Sequence, residues 1–300
     1  MLNRDILGIH LAAFLFGMTG ILGTLIEADS NAITFGRALF AVLTLCPLLW
    51  FSNHHAQRRP ATPSASAQPT TITWWRYLVS GGLLTLHWVT FFVSVKTAGV
   101  AIATLGFSSF AAFITLIEWM IAPKSIGRND WWRTLLVTIG LALITPTFDL
   151  ANQDTYGFVM GLGCGLSFAA MAVFNSRAMV GINPIRVARN QNVVVSLLLV
   201  FWAVPAMMQL SLQSWWWLGL LGVFCTGLSH SLFVSSLKSM RVNIAGLVIA
   251  LEPVYAIAVA WLLFHEAPTL RTMVGGLIVI GAIIGVNYRK SNHPPQKTHR

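Results

Sequence analysis

Residues 91–121 read FFVSVKTAGVAIATLGFSSFAAFITLIEWMI, and residues 233–263 read FVSSLKSMRVNIAGLVIALEPVYAIAVAWLL. The two align without a gap: Lys96 falls on Lys238, Ala103 on Ala245, Leu105 on Leu247 and Trp119 on Trp261. Apolar segments match one another easily, so the order and spacing of the lysine and tryptophan landmarks carry the correspondence. Further upstream, ITFGR at 33–37 matches IRVAR at 185–189 and sets Arg37 on Arg189. The chain reads as two related halves, 1–150 and 151–288, followed by a basic tail at 289–300.

Composition says what surrounds those halves. Of 300 residues, 9% are charged and 56% hydrophobic, with a mean hydropathy of +0.71. A surface facing water needs about 25% charged residues, which excludes a soluble enzyme or binding domain and asks for a multispanning membrane protein. A bilayer takes about 20 helical residues to cross. The chain divides into ten such stretches, at about 6–26, 32–51, 75–97, 100–121, 131–147, 157–179, 187–208, 214–237, 243–264 and 271–288. They are too long and continuous for the alternating strands of a membrane barrel, and backbone without water must hydrogen-bond within helices. The first stretch closes on Glu27-Ala28-Asp29-Ser30 with no small-residue cleavage site, so it is expected to be a retained span.

The expected fold is therefore an all-α membrane protein of ten transmembrane helices. Five spans per half is an odd number, so the second half would enter the membrane upside down. Two inverted five-helix repeats result, an architecture suited to alternating access.

The net charge of +10 concerns orientation. With the N-terminus inside, Arg4, Arg58, Arg59, Arg76, Lys124, Arg128, Arg133, Arg177, Arg186, Arg189, Lys238, Arg241, Arg289, Lys290, Lys297 and Arg300 gather on the cytoplasmic face, sixteen of the 19 basic residues. Lys96 and Arg271 fall outside, and Arg37 lies just within the second span. That bias places both termini in the cytoplasm of a bacterial inner membrane. No basic patch interleaved with aromatics supports nucleic-acid binding. The loop at 52–73, rich in Pro, Ala, Ser and Thr, reads as a flexible cytoplasmic tether.

At this point the sequence resembles the EamA-type transporters of the drug/metabolite transporter superfamily. The resemblance rests on LHWVTFFVSVKTAGVAIATL at 86–105, ALEPVYAIAVAWLLFHEAPT at 250–269 and GGLIVIGAIIG at 275–285. It implies ten spans and export of small metabolites, often amino acids, driven by an ion or substrate gradient. The first half departs from the pattern, with Ser109-Phe110-Ala111 where a proline often stands and Pro123-Lys124 in place of a Gly-Glu ending. Its core helix is accordingly expected to be straighter.

Ionisable residues deep in a bilayer are costly and are functional candidates by default. Glu252, followed by Pro253, reads as a carboxylate beside a break in the ninth span. The alternative is a hydrogen bond that fixes packing. His87 and His230 fall in corresponding spans of the two halves, and imidazole suits protonation cycles; each equally suits an interhelical hydrogen bond. His10 has no counterpart and reads as packing. Trp88, Phe107, Phe110 and Tyr255 are aromatic candidates for a cavity wall. Arg37 and Arg189 read as gate or anchor residues, more economically as anchors that snorkel to the interface.

The run Gly157-x3-Gly161-x3-Gly165 and the pair Gly281-x3-Gly285 predict close helix packing, within a monomer or homodimer. Cys46, Cys164 and Cys225 sit inside apolar runs and read as small buried residues. There is no phosphate-binding loop, metal-ligand set or interfacial reactive cluster, so neither cofactor nor metal is expected. The reading is a secondary exporter of a small molecule embedded in lipid, with multidrug or cation efflux as an alternative and an intramembrane lipid-modifying enzyme as a distant one.

Overall fold

A computed structural model describes residues 2–57, 74–144, 149, 151–179, 182–229, 232, 251–265 and 267–291. Every regular element among them is helical: α1 (Leu2–Leu25), α2 (Ser30–Gln57), α3 (Trp75–Phe107), α4 (Phe110–Ile121), α5 (Arg128–Ile144), α6 (Gln153–Ala178), α7 (Pro184–Met207), α8 (Leu212–Gly222), α9 (Glu252–Phe264) and α10 (Leu270–Ser291). Five of these are long and apolar enough to cross a bilayer, α1, α2, α3, α6 and α7. The chain is a multi-pass membrane protein. Its large apolar side chains accordingly face outward as well as inward, with Phe201 and Leu212 more than four-fifths exposed.

Polar residues mark where helices start. The Asp29 carboxylate accepts from the amides of Asn31 and Ala32 at 2.8 and 2.9 Å and opens α2. Asn152 accepts from Thr155 to open α6, and Asn183, ahead of Pro184, caps α7. These caps satisfy amides that have no partner inside the helix. Within helices, threonine hydroxyls donate to carbonyls four residues back, as Thr24, Thr44, Thr85 and Thr104 do, so these hydroxyls are satisfied within their own helix.

The break expected near residue 98 is present. Gly99 takes φ 79°, ψ 171°, a non-helical conformation open to glycine, and divides α3 into two helical segments that meet at a kink. The expectation of a straighter core helix in the first half is overturned. At Ser108 and Ser109 the backbone tightens to three-residue hydrogen bonds, Ser109 N–H donating to the Gly106 carbonyl at 3.1 Å, and α4 begins beyond it. The Ser108 hydroxyl also donates to the Thr104 carbonyl at 3.0 Å, so serines interrupt the helix where the family pattern often has a proline.

The glycine run of α6 forms its seam with α3 and α4. A Cβ on Gly161 would lie 3.2 Å from the Gly106 Cα; one on Gly157 would strike Thr97 and Ala98, and one on Gly165 would strike Ser109. Among the described residues a Cβ on Gly281 would meet nothing within 4 Å. The close approach of α5 and α10 is made by Gly140 and Gly275. Lys96 donates to the Ile26 carbonyl at 2.6 Å and so caps the end of α1. Of the repeat landmarks, Lys238, Ala245 and Leu247 lie outside the described residues.

Candidate functional site

One turn of unusual helix organises the site. After Gly222 the eighth helix widens into a π-helical stretch, Val223–Leu228, which turns Thr226 toward α2. Its hydroxyl donates to the Leu221 carbonyl five residues back, at 3.1 Å, and accepts from Arg37 Nε at 2.7 Å. π-Turns re-aim side chains in this way and recur at functional sites. Gly222 makes room, since a Cβ there would strike Phe40 and the Arg37 carbonyl.

Arg37 is thereby pulled inward. It is 5% exposed, and its guanidinium lies 4.0 Å from the centre of the Trp88 ring. This corrects the anchor reading: at the eighth residue of α2, a hydroxyl donor–acceptor and an aromatic face hold the side chain in the interior instead of letting it snorkel. Among the described residues the single salt bridge is Arg133–Asp130 at 2.6 Å, so no carboxylate pairs with Arg37.

Arg37 and Trp88 line a cavity of about 430 Å³. Glu252 and Pro253 reach its wall from the first turn of α9, where a carboxylate suits the helix N-terminus. His87 lines it too and is at once a structural residue. Its Nδ1 lies 3.1 Å from both the carbonyl oxygen and the Sγ of Cys164, so this nitrogen is engaged by α6. Phe107, Phe110 and Phe168 form an aromatic wall, with Phe107 and Phe110 stacked at 5.1 Å and the His87 ring 5.1 Å from Phe168. At the end nearest the α6–α7 turn the wall becomes polar with Asn175, Gln191 and Asn192.

The structure thus brings six sequence candidates to one cavity: Arg37, His87, Trp88, Phe107, Phe110 and Glu252. Tyr255 is turned away; its hydroxyl meets His10 Nδ1 at 3.0 Å and its ring packs edge-on to Phe14. Arg189 is also off the cavity wall, its guanidinium spent on the neighbouring Asn190 at 2.8 Å. His230 lies outside the described residues. Sequence reasoning passed over Thr226, which no one-letter pattern distinguishes, and Phe168. Gln191 and Asn192 lie two and three residues beyond Arg189. Their spacing from Ala188, three and four residues, puts all three on one helical face, and that signal was readable.

A family model described as the EamA-like transporter family matches residues 4–145 and then residues 155–288. The chain belongs to this family. An uncharacterized transporter of Bacillus subtilis, YwfM, is 26% identical over 290 residues, covering 91% of this chain and 92% of the relative. An uncharacterized transporter of Archaeoglobus fulgidus is 25% identical over 284 residues, 92% and 93% of the two chains. The pseudopaline exporter CntI of Pseudomonas aeruginosa is 23% identical over 221 residues, 71% and 75%. A solved crystal structure matches at a TM-score of 0.65 over 97% of this chain and 99% of its own, at 13% identity, a likeness of fold alone. Taken with the apolar helices, the relatives make this EamA-family protein a membrane transporter rather than an enzyme.

Proposed function

We propose that this EamA-family chain is a secondary exporter of a small carboxylate-bearing metabolite, an amino acid or a related compound, working by alternating access in a bacterial inner membrane with both termini in the cytoplasm. The observation that carries the reading is Arg37: a buried guanidinium over Trp88, held through Nε by Thr226 and without an ion pair among the described residues. A desolvated charge of this kind costs several kcal/mol unless matched, and a planar fork with its Nη edge free matches a carboxylate bidentately. Glu252 in the same cavity would take the substrate's ammonium or a coupling proton, and His87 Nε2 is the other group open to proton exchange. The aromatic wall of Phe107, Phe110 and Phe168 suits an apolar moiety.

Two five-helix halves, 1–150 and 151–288 in inverted orientation, would rock about this cavity. The two successive family matches and the odd number of spans per half support that architecture. The lysine and arginine bias supports the orientation, and a relative named as an exporter supports the direction. Arg37 in the cavity weighs against efflux of lipophilic cations, which a fixed positive charge would repel.

Counterflow in proteoliposomes tests the proposal with a panel of radiolabelled amino acids and a lipophilic cation. Saturable exchange of at least one amino acid, lost in Arg37→Met, is expected; saturable exchange of the cation alone would overturn it. If Glu252→Gln exchanges normally with an unchanged response to an imposed pH gradient, Glu252 has no part in coupling.

A further inference from the structure

Three carboxamide side chains meet at the cavity end nearest the α6–α7 turn, and their hydrogen bonds do not close. Gln191 Nε2 donates to Ser80 Oγ, which donates in turn to Asn175 Oδ1 at 2.6 Å. Asn192 Nδ2 donates to the Ala188 carbonyl at 2.8 Å, which fixes the orientation of the amide. Its Oδ1 then finds no hydrogen-bond partner although the residue is only 2% exposed. Gln191 Oε1 and Asn175 Nδ2 take no part in the described hydrogen bonds, and all three residues line the cavity. A buried acceptor left without a donor costs about 1–3 kcal/mol, so native proteins rarely retain one without a use.

The place of this cluster relative to Arg37 follows from helix packing. Leu45 and Ala41 pack with Ala188, and Leu48 and Ile185 flank them. Ile33, Phe35 and Ala38, nearer the start of α2, fall instead in the cluster that holds Val195, Leu199 and Ala203, nearer the end of α7, so the two helices run antiparallel and Asn192 comes level with the turn that carries Ala41. Arg37 is one turn further along α2, about 5–6 Å on the helix axis. A molecule with its carboxylate at Arg37 therefore reaches the carboxamides with a group three or four bonds away.

The geometry points to Asn175, Gln191 and Asn192 as a substrate subsite for an uncharged hydrogen-bonding group, a primary carboxamide or its like, at the far end of the transported molecule. The inference rests on the carboxylate reading of Arg37 and adds the other end of the substrate. The free groups are two acceptor oxygens and one NH2, the complement of a carboxamide's NH2 and C=O. A second ammonium fits less well, because these three side chains carry no charge to offset its desolvation.

L-Glutamine and L-methionine are the probes: similar in length, one ends in a carboxamide and the other in a thioether. Counterflow is measured with full-length protein in proteoliposomes. The wild type is expected to favour L-glutamine roughly tenfold in KM, the size of one or two net hydrogen bonds. Asn192→Leu is expected to bring the two probes within about twofold of one another while L-methionine exchange is retained. Saturable exchange of both probes by the wild type without discrimination overturns the subsite alone; the wild-type ratio needs no variant, so a poorly folding Asn192→Leu does not rescue it. Exchange of neither probe while another amino acid of the panel is exchanged overturns the subsite alone, and exchange of no amino acid overturns the carboxylate reading with it. Equal loss of both probes in a folded Asn192→Leu makes Asn192 a packing residue and also refutes the inference.

Discussion

Replacing Arg37 with methionine separates two roles that a buried arginine can play. Among the described residues the guanidinium has one charge-assisted hydrogen bond, Nε to Thr226 at 2.7 Å, worth roughly 1.5–3 kcal/mol. Its contact with Trp88 at 4.0 Å contributes about 2 kcal/mol when desolvated. Against these stands the desolvation of a buried charge, several kcal/mol even after relaxation, with no ion pair to offset it among the described residues. Glu252, which lines the same cavity, adds an attraction across it, and together these contributions nearly cancel. Methionine keeps an adaptable apolar chain against Trp88, and Thr226 keeps its bond to the Leu221 carbonyl, so no hydroxyl is stranded. Arg37→Met should therefore lie within about 1–2 kcal/mol of wild-type stability, a change of a few degrees in Tm.

Substrate binding behaves differently. Two charge-assisted hydrogen bonds from the guanidinium to a carboxylate are worth about 3–5 kcal/mol together, so the variant should lose roughly 10²- to 10³-fold in affinity. Thermal unfolding in detergent measures the first quantity and proteoliposome counterflow the second. Wild-type exchange in Arg37→Met would show that no carboxylate meets this residue. A stability loss above about 3 kcal/mol would show that Arg37 is a structural strut. Either result refutes the reasoning.

Thr226→Val removes the acceptor that orients Arg37 and should raise KM about tenfold with little change in kcat, while Thr226→Ser restores it; equal behaviour of the two variants would dismiss the orienting role. Gly161→Ala places a Cβ 3.2 Å from the Gly106 backbone, which cannot yield, and should cost about 1–3 kcal/mol in thermal unfolding; Gly281→Ala, meeting nothing within 4 Å among the described residues, should leave Tm unchanged. In a background without native cysteines, Ala151→Cys should react with an impermeant maleimide on intact cells and Ser64→Cys only after permeabilisation, and the reverse pattern would invert the assigned orientation.

The helices were legible because lipid imposes length and continuity on them, and the first break was legible because glycine alone suits a φ of 79°. Glu252 stood out through the scarcity of acidic residues. Arg37 was seen and misjudged: its distance from the span end permits snorkelling, and the π-turn that presents Thr226 has no signature in composition. Tyr255 was misassigned for a related reason. In a uniformly apolar helix the periodicity that tells a cavity face from a packing face is faint, and α1 supplied His10 as a partner. The carboxamide cluster was half legible: Gln191 and Asn192 are adjacent in the chain, whereas Ser80 and Asn175 join them only through the crossing of α3 and α6 with α7.

The serine junction between α3 and α4 has a consequence for movement. The Ser108 amide is shared between the Thr104 and Leu105 carbonyls, both at 3.1 Å, so it already stands midway between the tight and the ordinary helical pattern. Splicing α3 and α4 into one rod would exchange hydrogen bonds one for one and strand no donor. At the start of α9 the proline ring of Pro253 has no amide to offer, and that boundary is permanent. A joint that can re-form and one that cannot therefore face the same cavity, and under the proposed alternating access the conformational work would fall unequally on the two sides.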